Sequence, residues 1–307
     1  MIVEAGHNGS IVVVGMFDGV HLGHRYLLER LVDKASALQL SPVVVTFSNH
    51  PLSVIRPEKV PAVITELDRK IALIKSFGIE RVVVLEFSED LRKLTAQEFA
   101  RKILKDKYNA QYLLLGYDNG FGSDKLKTAT EFSKALQSID IKVIDCDAYP
   151  GENISSTRIR KALKEGNIGH VNSLMGHRYM IGGTVVSGRR IGRTIGFPTA
   201  NISSPTPIVL PNGVYAAKVT CPTYLEGLPA MINIGNAPTV NSNDTQITVE
   251  ANIIVNDSEK IGNLYGKYLS LEIIEKIRDE EKFSSLTELK EQLMKDRNTT
   301  LQIVHES

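Results

Sequence analysis

The sequence predicts an α/β domain built on a doubly wound parallel sheet, followed by a small antiparallel β-barrel domain with a C-terminal helix. Three observations carry this expectation. Five short β-branched runs alternate with amphipathic stretches in the first half. From about Arg178 the pattern changes to short alternating segments punctuated by Gly, Pro and Asn. The length, 307 residues, is about what two domains require.

The apolar runs cover residues 11–15, 43–47, 82–87, 112–116 and 142–146, and each reads as a strand buried on both faces. Helical patterns fill residues 24–38, 66–77, 95–107 and 128–136. Thr65 and Thr95 fit N-caps, the latter with Glu98 in capping-box spacing. Strand and helix alternating in this way predicts a parallel sheet with helices on both faces and ligands outside the carboxyl ends of its strands. In the second half, residues 179–186, 213–220, 229–234, 247–255 and 267–277 read as antiparallel strands closing into a barrel, since closure removes edges. A last helix over 285–295 places Leu286, Leu289 and Leu293 toward a core. The boundary falls between Gly166 and Arg178, giving domains of residues 1–168 and 169–307.

Charge and cysteine usage exclude several classes. Lys and Arg number 36 against 35 Asp and Glu, a net charge of +1, without the basic footprint of a nucleic-acid or anionic-membrane protein. Cys146 and Cys221 form no CxxC pair, read as small buried hydrophobes and suit a reducing cytoplasm. No secretory signal precedes the first apolar run, and no stretch approaches the roughly 20 apolar residues of a membrane span.

Residues 15–24, Gly-Met-Phe-Asp-Gly-Val-His-Leu-Gly-His, follow the first strand and place His21 and His24 around Gly23 where a helix begins. A helix N-terminus offers unpaired N–H groups and the positive end of its dipole, and imidazoles add donors for the same phosphate oxygens. Gly23 leaves room for a nucleotide near the backbone. A surface His pair is the plainer reading, and zinc ligation lacks an evident third ligand. After the fifth run, residues 154–160 read Ile-Ser-Ser-Thr-Arg-Ile-Arg at another helix start. There Ser155, Ser156, Thr157 and Arg158 can hold phosphate through hydroxyls, amides and charge, or simply cap a solvated basic face.

These two motifs resemble the nucleotidyltransferase module of the bacterial bifunctional riboflavin kinase/FAD synthetase family. The likeness extends through residues 46–51, Thr-Phe-Ser-Asn-His-Pro, and residues 116–122, Gly-Tyr-Asp-Asn-Gly-Phe-Gly. It implies that Gly15, Phe17, Asp18, His21, Gly23 and His24, with Ser155, Ser156, Thr157 and Arg158, bind ATP phosphates. His21, His24 and Arg158 are the implied catalytic groups, and Phe47, His50, Pro51, Asp118 and Asn119 lie on the flavin side. The implied reaction joins an FMN phosphate oxygen to the α-phosphorus of ATP and expels pyrophosphate. That nucleophile is already ionised, so alignment and charge neutralisation suffice without a general base.

In the second half, residues 188–201 combine glycines at 188, 192 and 196 with arginines and end in Pro-Thr-Ala-Asn. Gly192, Arg193 and Gly196 form a flexible cationic loop suited to phosphates. Thr199 and Asn201 are hard oxygen donors two residues apart, on one side of an extended segment, as Mg²⁺ accepts. The combination resembles the riboflavin kinase module of the same family. So do residues 213–216, 233–235, 238–239 and 264–266, with Glu250, Arg278 and Phe283. A riboflavin hydroxyl is a poor nucleophile, and the resemblance implies Glu250 as the base that accepts its proton. It also puts Arg278 near the flavin, with a surface salt bridge as the alternative. Ala237, Ala251 and Asn252 depart from the residues common at their positions.

The expectation is a cytoplasmic enzyme that phosphorylates riboflavin to FMN and adenylylates FMN to FAD. It would use ATP with Mg²⁺, small-molecule partners, no nucleic acid and no membrane. Oligomeric state is not encoded in any motif. Three other readings stay open: the same fold with one activity, a nucleic-acid-binding relative of class I aminoacyl-tRNA synthetases, and a noncatalytic flavin-binding protein.

Overall fold

A computed structural model describes residues 9–117, 120–188, 191–222, 224–238, 245–255 and 261–307. By internal contacts the chain divides into two compact units, Met1–Pro61 with Leu67–Ser155, and Ala62–Glu66 with Ser156–Ser307.

The first unit is the doubly wound domain. Its strands β1 (Ser10–Val14), β2 (Ser41–Phe47), β3 (Arg81–Leu85), β4 (Ala110–Leu115) and β5 (Lys142–Asp145) lie in the order β3-β2-β1-β4-β5. Every pairing is parallel. The chain leaves β1 for β2 on one side and later returns to β4 on the other, so the strand order reverses at β1 and opens a crevice at its carboxyl end. One face packs Leu27, Leu28, Leu31 and Ile74 against Ile11, Val13 and Val44. The other packs Phe99, Ile103 and Phe132 against Val12, Val43 and Val45. β1 is buried throughout, as a central strand must be, whereas the edge strands β3 and β5 are only half-buried.

The helices differ from expectation in instructive places. The first runs Leu22–Leu38, starting two residues early because His21 caps it. The second runs Leu67–Lys75, which leaves Thr65 outside its cap position. Thr95 closes the expected capping box with Glu98, but the helix then widens into a π-helical stretch, Ala100–Lys105.

In the second unit, strands β6 (Tyr179–Val186), β7 (Ala200–Ser203), β8 (Gly213–Cys221), β9 (Leu225–Pro238), β10 (Thr245–Ile253) and β11 (Tyr268–Arg278) close a barrel in the order β10-β7-β6-β11-β8-β9. β7, too short for the alternating pattern, is the strand that the sequence concealed. Helix Ser156–Lys164 packs on helix Ile168–Met175. Arg160 Nε donates to the Ala62 carbonyl at 2.7 Å and the Tyr268 hydroxyl to Glu66 at 2.6 Å, which gathers Ala62–Glu66 into this unit.

The C-terminal helix extends over Leu286–Glu306, well beyond residue 295. Leu293 packs against the cluster of Phe197, Val214, Met231 and Ile254, but Leu286 is exposed. The buried residues of this helix are polar, Asp296 and Thr300. Both cysteines are buried and unpaired.

Candidate active sites

The first site grows from the turn after β1. Gly15 donates its N–H to the Val45 carbonyl at 3.0 Å, keeping the chain in the sheet for one more residue. Phe17 (φ 51°), Gly19 (φ 86°) and Val20 (φ 37°) then all take the left-handed region. That conformation is costly for Phe and Val, and the burial of both side chains holds them in it. Such strain at a strand's carboxyl end marks a turn built to place something.

What it places is the histidine pair. His21 caps the first helix, its Nδ1 accepting the His24 backbone N–H at 3.2 Å. A ring nitrogen that accepts carries no proton, so neutral His21 presents Nε2–H as donor. The two rings stack with centroids 3.7 Å apart, and Phe17 lies 5.2 Å from the His24 ring. Gly23 has a visible reason: a Cβ there would meet the His21 ring at 3.3 Å. The His24 Nδ1 is buried without a hydrogen-bond partner among the described residues. Burial, then His21, then Lys70 hold the His24 imidazole well below its usual protonation range. It is therefore neutral at physiological pH. Asp18, three residues before His21 in the same turn, is buried.

The segment after β2 is fixed by its own side chains. Asn49 clamps Phe87 through both backbone groups, at 2.7 and 3.0 Å. His50 Nδ1 accepts the Leu52 N–H at 3.1 Å, starting the next turn with Pro51. Phe47 is buried, edge-on to Phe87. Asp118 and Asn119 fall outside the described residues. Phe121 of the same motif packs between Phe99 and Phe132, with centroids 5.0 and 4.9 Å away.

Ser156, Thr157 and Arg158 form the first turn of helix Ser156–Lys164, directly after exposed Ser155, and that helix is anchored by buried Ile159, Ala162 and Leu163. The helix is counted with the second unit.

The second site sits on the barrel wall. Register places Glu250 of β10 directly opposite Asn201 of β7 on one side and Asn233 of β9 on the other. Paired residues in adjacent strands share a face, so the three side chains form one polar row. The Thr199 hydroxyl donates to Glu250 Oε2 at 3.2 Å. A hydroxyl, an amide and a carboxylate so arranged are a hard-oxygen set of the kind Mg²⁺ accepts. Asn252, a departure from the family pattern, is buried and donates to the Pro198 carbonyl at 2.7 Å, fixing the segment that carries Thr199.

The glycine-rich loop is locally determined as well. Gly196 is left-handed (φ 85°), and a Cβ on Gly192 would collide with the Phe197 carbonyl oxygen. Arg193 is exposed at the edge of a cavity of about 330 Å³, whose walls include Val185, Thr199, Ala251, Ile253 and Tyr265. A cavity with a largely apolar lining that also includes a cation and a hydroxyl suits a base with attached phosphates.

Arg278 is engaged elsewhere. Its Nε and Nη2 bind buried Asp296 at 2.8–3.1 Å, and Nη1 donates to the Asp279 carbonyl. The ion pair is buried on the Asp296 side, unlike the surface salt bridge weighed from sequence.

Sequence reasoning named Asn233 only as part of the kinase-like pattern, and strand register supplies its place opposite Glu250. Lys70 it missed altogether. Lys70 was detectable as a lone cation four residues before Ile74 on the apolar face of its helix, where both are buried.

A histidine-capped helix start on a doubly wound sheet, and on a barrel a polar row with a cavity lined in part by Thr199, fit a two-module enzyme of phosphate transfer. A sequence model of FAD synthetase matches residues 3–158, and one of riboflavin kinase matches residues 175–304. The chain belongs to the bifunctional riboflavin kinase/FMN adenylyltransferase family. The protein of that name from Buchnera aphidicola (subsp. Acyrthosiphon pisum) is 35% identical over 294 residues, covering 94% of this chain and 92% of its own. Its namesake from Escherichia coli K12 is 34% identical over 298 residues, covering 96% and 93%. A crystal structure of a Streptococcus pneumoniae protein described as a macrolide-efflux protein matches with a TM-score of 0.83. It is 32% identical, covering 97% of this chain and 95% of its own. The efflux description belongs to that protein; among the described residues here no helix is long and apolar enough to cross a membrane.

Proposed function

We propose that residues 169–307 phosphorylate riboflavin to FMN and that residues 1–168 adenylylate FMN to FAD. Both steps use ATP with Mg²⁺, in the reducing cytoplasm that the two unpaired cysteines fit. The observation that carries the reading is the occurrence on one chain of the His21–His24 cap and the Thr199–Glu250 contact. Each suits a different transfer.

In the kinase step, Glu250 takes the proton of the riboflavin hydroxyl as its oxygen bonds to the γ-phosphorus and ADP leaves. Thr199 and Asn201 would hold Mg²⁺, which supplies charge neutralisation on the phosphates. Gly192, Arg193 and Gly196 cradle the phosphates, and Arg278 acts on the flavin side by anchoring the last helix through Asp296.

In the adenylyl step, an FMN phosphate oxygen bonds to the α-phosphorus and pyrophosphate departs. His21 and His24 donate to phosphate oxygens, with Ser155, Ser156, Thr157 and Arg158 as further phosphate ligands. Phe47, His50, Pro51, Asp118 and Asn119 face the flavin. The partners are small molecules, in keeping with a net charge of +1.

The test is a time course of riboflavin, FMN and FAD separated by chromatography. His24→Ala should stop the chain at FMN, with adenylylation reduced at least about 100-fold. Glu250→Ala should make FAD from FMN but not from riboflavin, a loss of about 100-fold or more. Retention of both rates in both variants would refute the site assignments.

A further inference from the structure

Lys70 is 5% exposed, yet among the described residues its ammonium hydrogen-bonds to carbonyls and not to a carboxylate. Its Nζ donates to the Met16 carbonyl at 3.2 Å and to the Phe47 carbonyl at 2.8 Å. Met16 belongs to the strained turn after β1, and Phe47 is the last residue of β2. One ammonium thus ties the carboxyl ends of the two strands to helix Leu67–Lys75. The Met16 carbonyl also accepts the Thr46 hydroxyl at 3.1 Å, so the start of the turn is held from two directions.

Burying an ammonium is costly, and the two carbonyls with nearby Asp18 offset that cost only in part, since Lys70 is still pushed toward deprotonation. Two carbonyls could be joined more cheaply by a neutral amide. A charge kept at this cost, against the turn that carries the histidines, points to a role in the site's field.

We propose that Lys70 is a positioning residue of adenylyl transfer, tying β1 to β2 beneath the His21–His24 turn and keeping a fixed positive charge beside His24. This rests on the assignment of that turn to the adenylyl step. Burial favours deprotonation of Lys70, and nearby Asp18 counters it. His24 is faced by His21 from its own turn and by Lys70 from the neighbouring helix, and positive charge on either opposes its protonation. Lys70 therefore helps keep His24 a neutral donor.

Lys70→Met, Lys70→Gln and Lys70→Arg test this in the full chain, with riboflavin phosphorylation as the internal control. One readout is kcat/KM for FMN adenylylation. The other is the His24 imidazole titration by NMR, its signal assigned by loss in His24→Gln. Lys70→Met should lose at least about tenfold in adenylylation with unchanged riboflavin phosphorylation, and its His24 midpoint should rise. Lys70→Arg should keep the wild-type midpoint and recover most of the rate.

Lys70→Met with wild-type adenylylation overturns the proposal. So does equal loss in Met and Arg variants with the midpoint unmoved, because that is a packing effect. Should the Met variant fail to fold, the Gln and Arg variants decide: a raised midpoint in Gln alone supports the proposal, and equal midpoints overturn it. His24→Ala in the same assay separates the two claims. If it stays active, the assignment of the turn fails; if it is inactive while Lys70→Met is not, only the role of Lys70 fails.

Discussion

His21 and His24 stack ring on ring, 3.7 Å between centroids and 13° from parallel, while the Nδ1 of the first accepts the backbone N–H of the second. Two like charges at that separation would repel strongly in a partly buried site. The arrangement is therefore one of neutral donors, which suits an adenylyl transfer that needs no general base.

Acid should destabilise the first unit through His24. Its folded pKa lies below the ordinary 6.5, so just under pH 6.5 the unfolded chain binds a proton that the folded chain refuses. Stability is then greatest above pH 6.5 and falls as pH drops toward the folded pKa. Urea midpoints from pH 7.5 to 5.0 should fall for wild type and fall less for His24→Gln. Parallel curves for the two proteins would contradict this.

Gly23→Ala should impair adenylylation alone. The new Cβ would sit 3.3 Å from the His21 ring, forcing a shift of a few tenths of an ångström in a stacked pair. A loss of about tenfold in kcat/KM for FMN is expected, since misalignment acts steeply on transfer rates. Steady-state assays of both reactions on one preparation check it.

Asn252→Leu should impair the other reaction. It removes the donor to the Pro198 carbonyl and loosens the segment leading to Thr199. Riboflavin phosphorylation should drop about tenfold, equivalent to the loss of one buried hydrogen bond, while FMN adenylylation stays unchanged. A drop in both rates would assign Asn252 a global structural role instead.

Asp296→Ala should destabilise the barrel unit by about 3–5 kcal/mol, because it strands the Arg278 guanidinium in a half-buried site. Replacing both partners, Arg278→Met with Asp296→Leu, should recover most of that stability. Denaturant unfolding of the single and double variants measures the difference, and equal losses would show that the pair itself contributes little beyond packing.

Short local patterns carried most of the architecture. The runs around Val12, Val44 and Leu114 announced central strands because both of their faces must be apolar, and Thr95 with Glu98 announced its capping box. The histidine turn was readable as a helix start, whereas its cap at His21, which starts the helix two residues early, was not. Less readable were β7, whose four residues are too few to display a period, and the C-terminal helix, whose buried residues are Asp296 and Thr300. A polar residue looks solvent-facing until its partner from another strand is known.

Order and composition of the chain determined the two modules, the strand–helix alternation and the places of the histidine and Ser-Ser-Thr-Arg motifs along the chain, since each depends on neighbours within a few residues. Only the folded molecule decided that Asn233 stands opposite Glu250, that Arg278 is spent on Asp296, and that Lys70 joins the ends of β1 and β2. Those relations depend on strand register and on which buried charge meets which carbonyl, distances that are fixed in space between residues far apart along the chain.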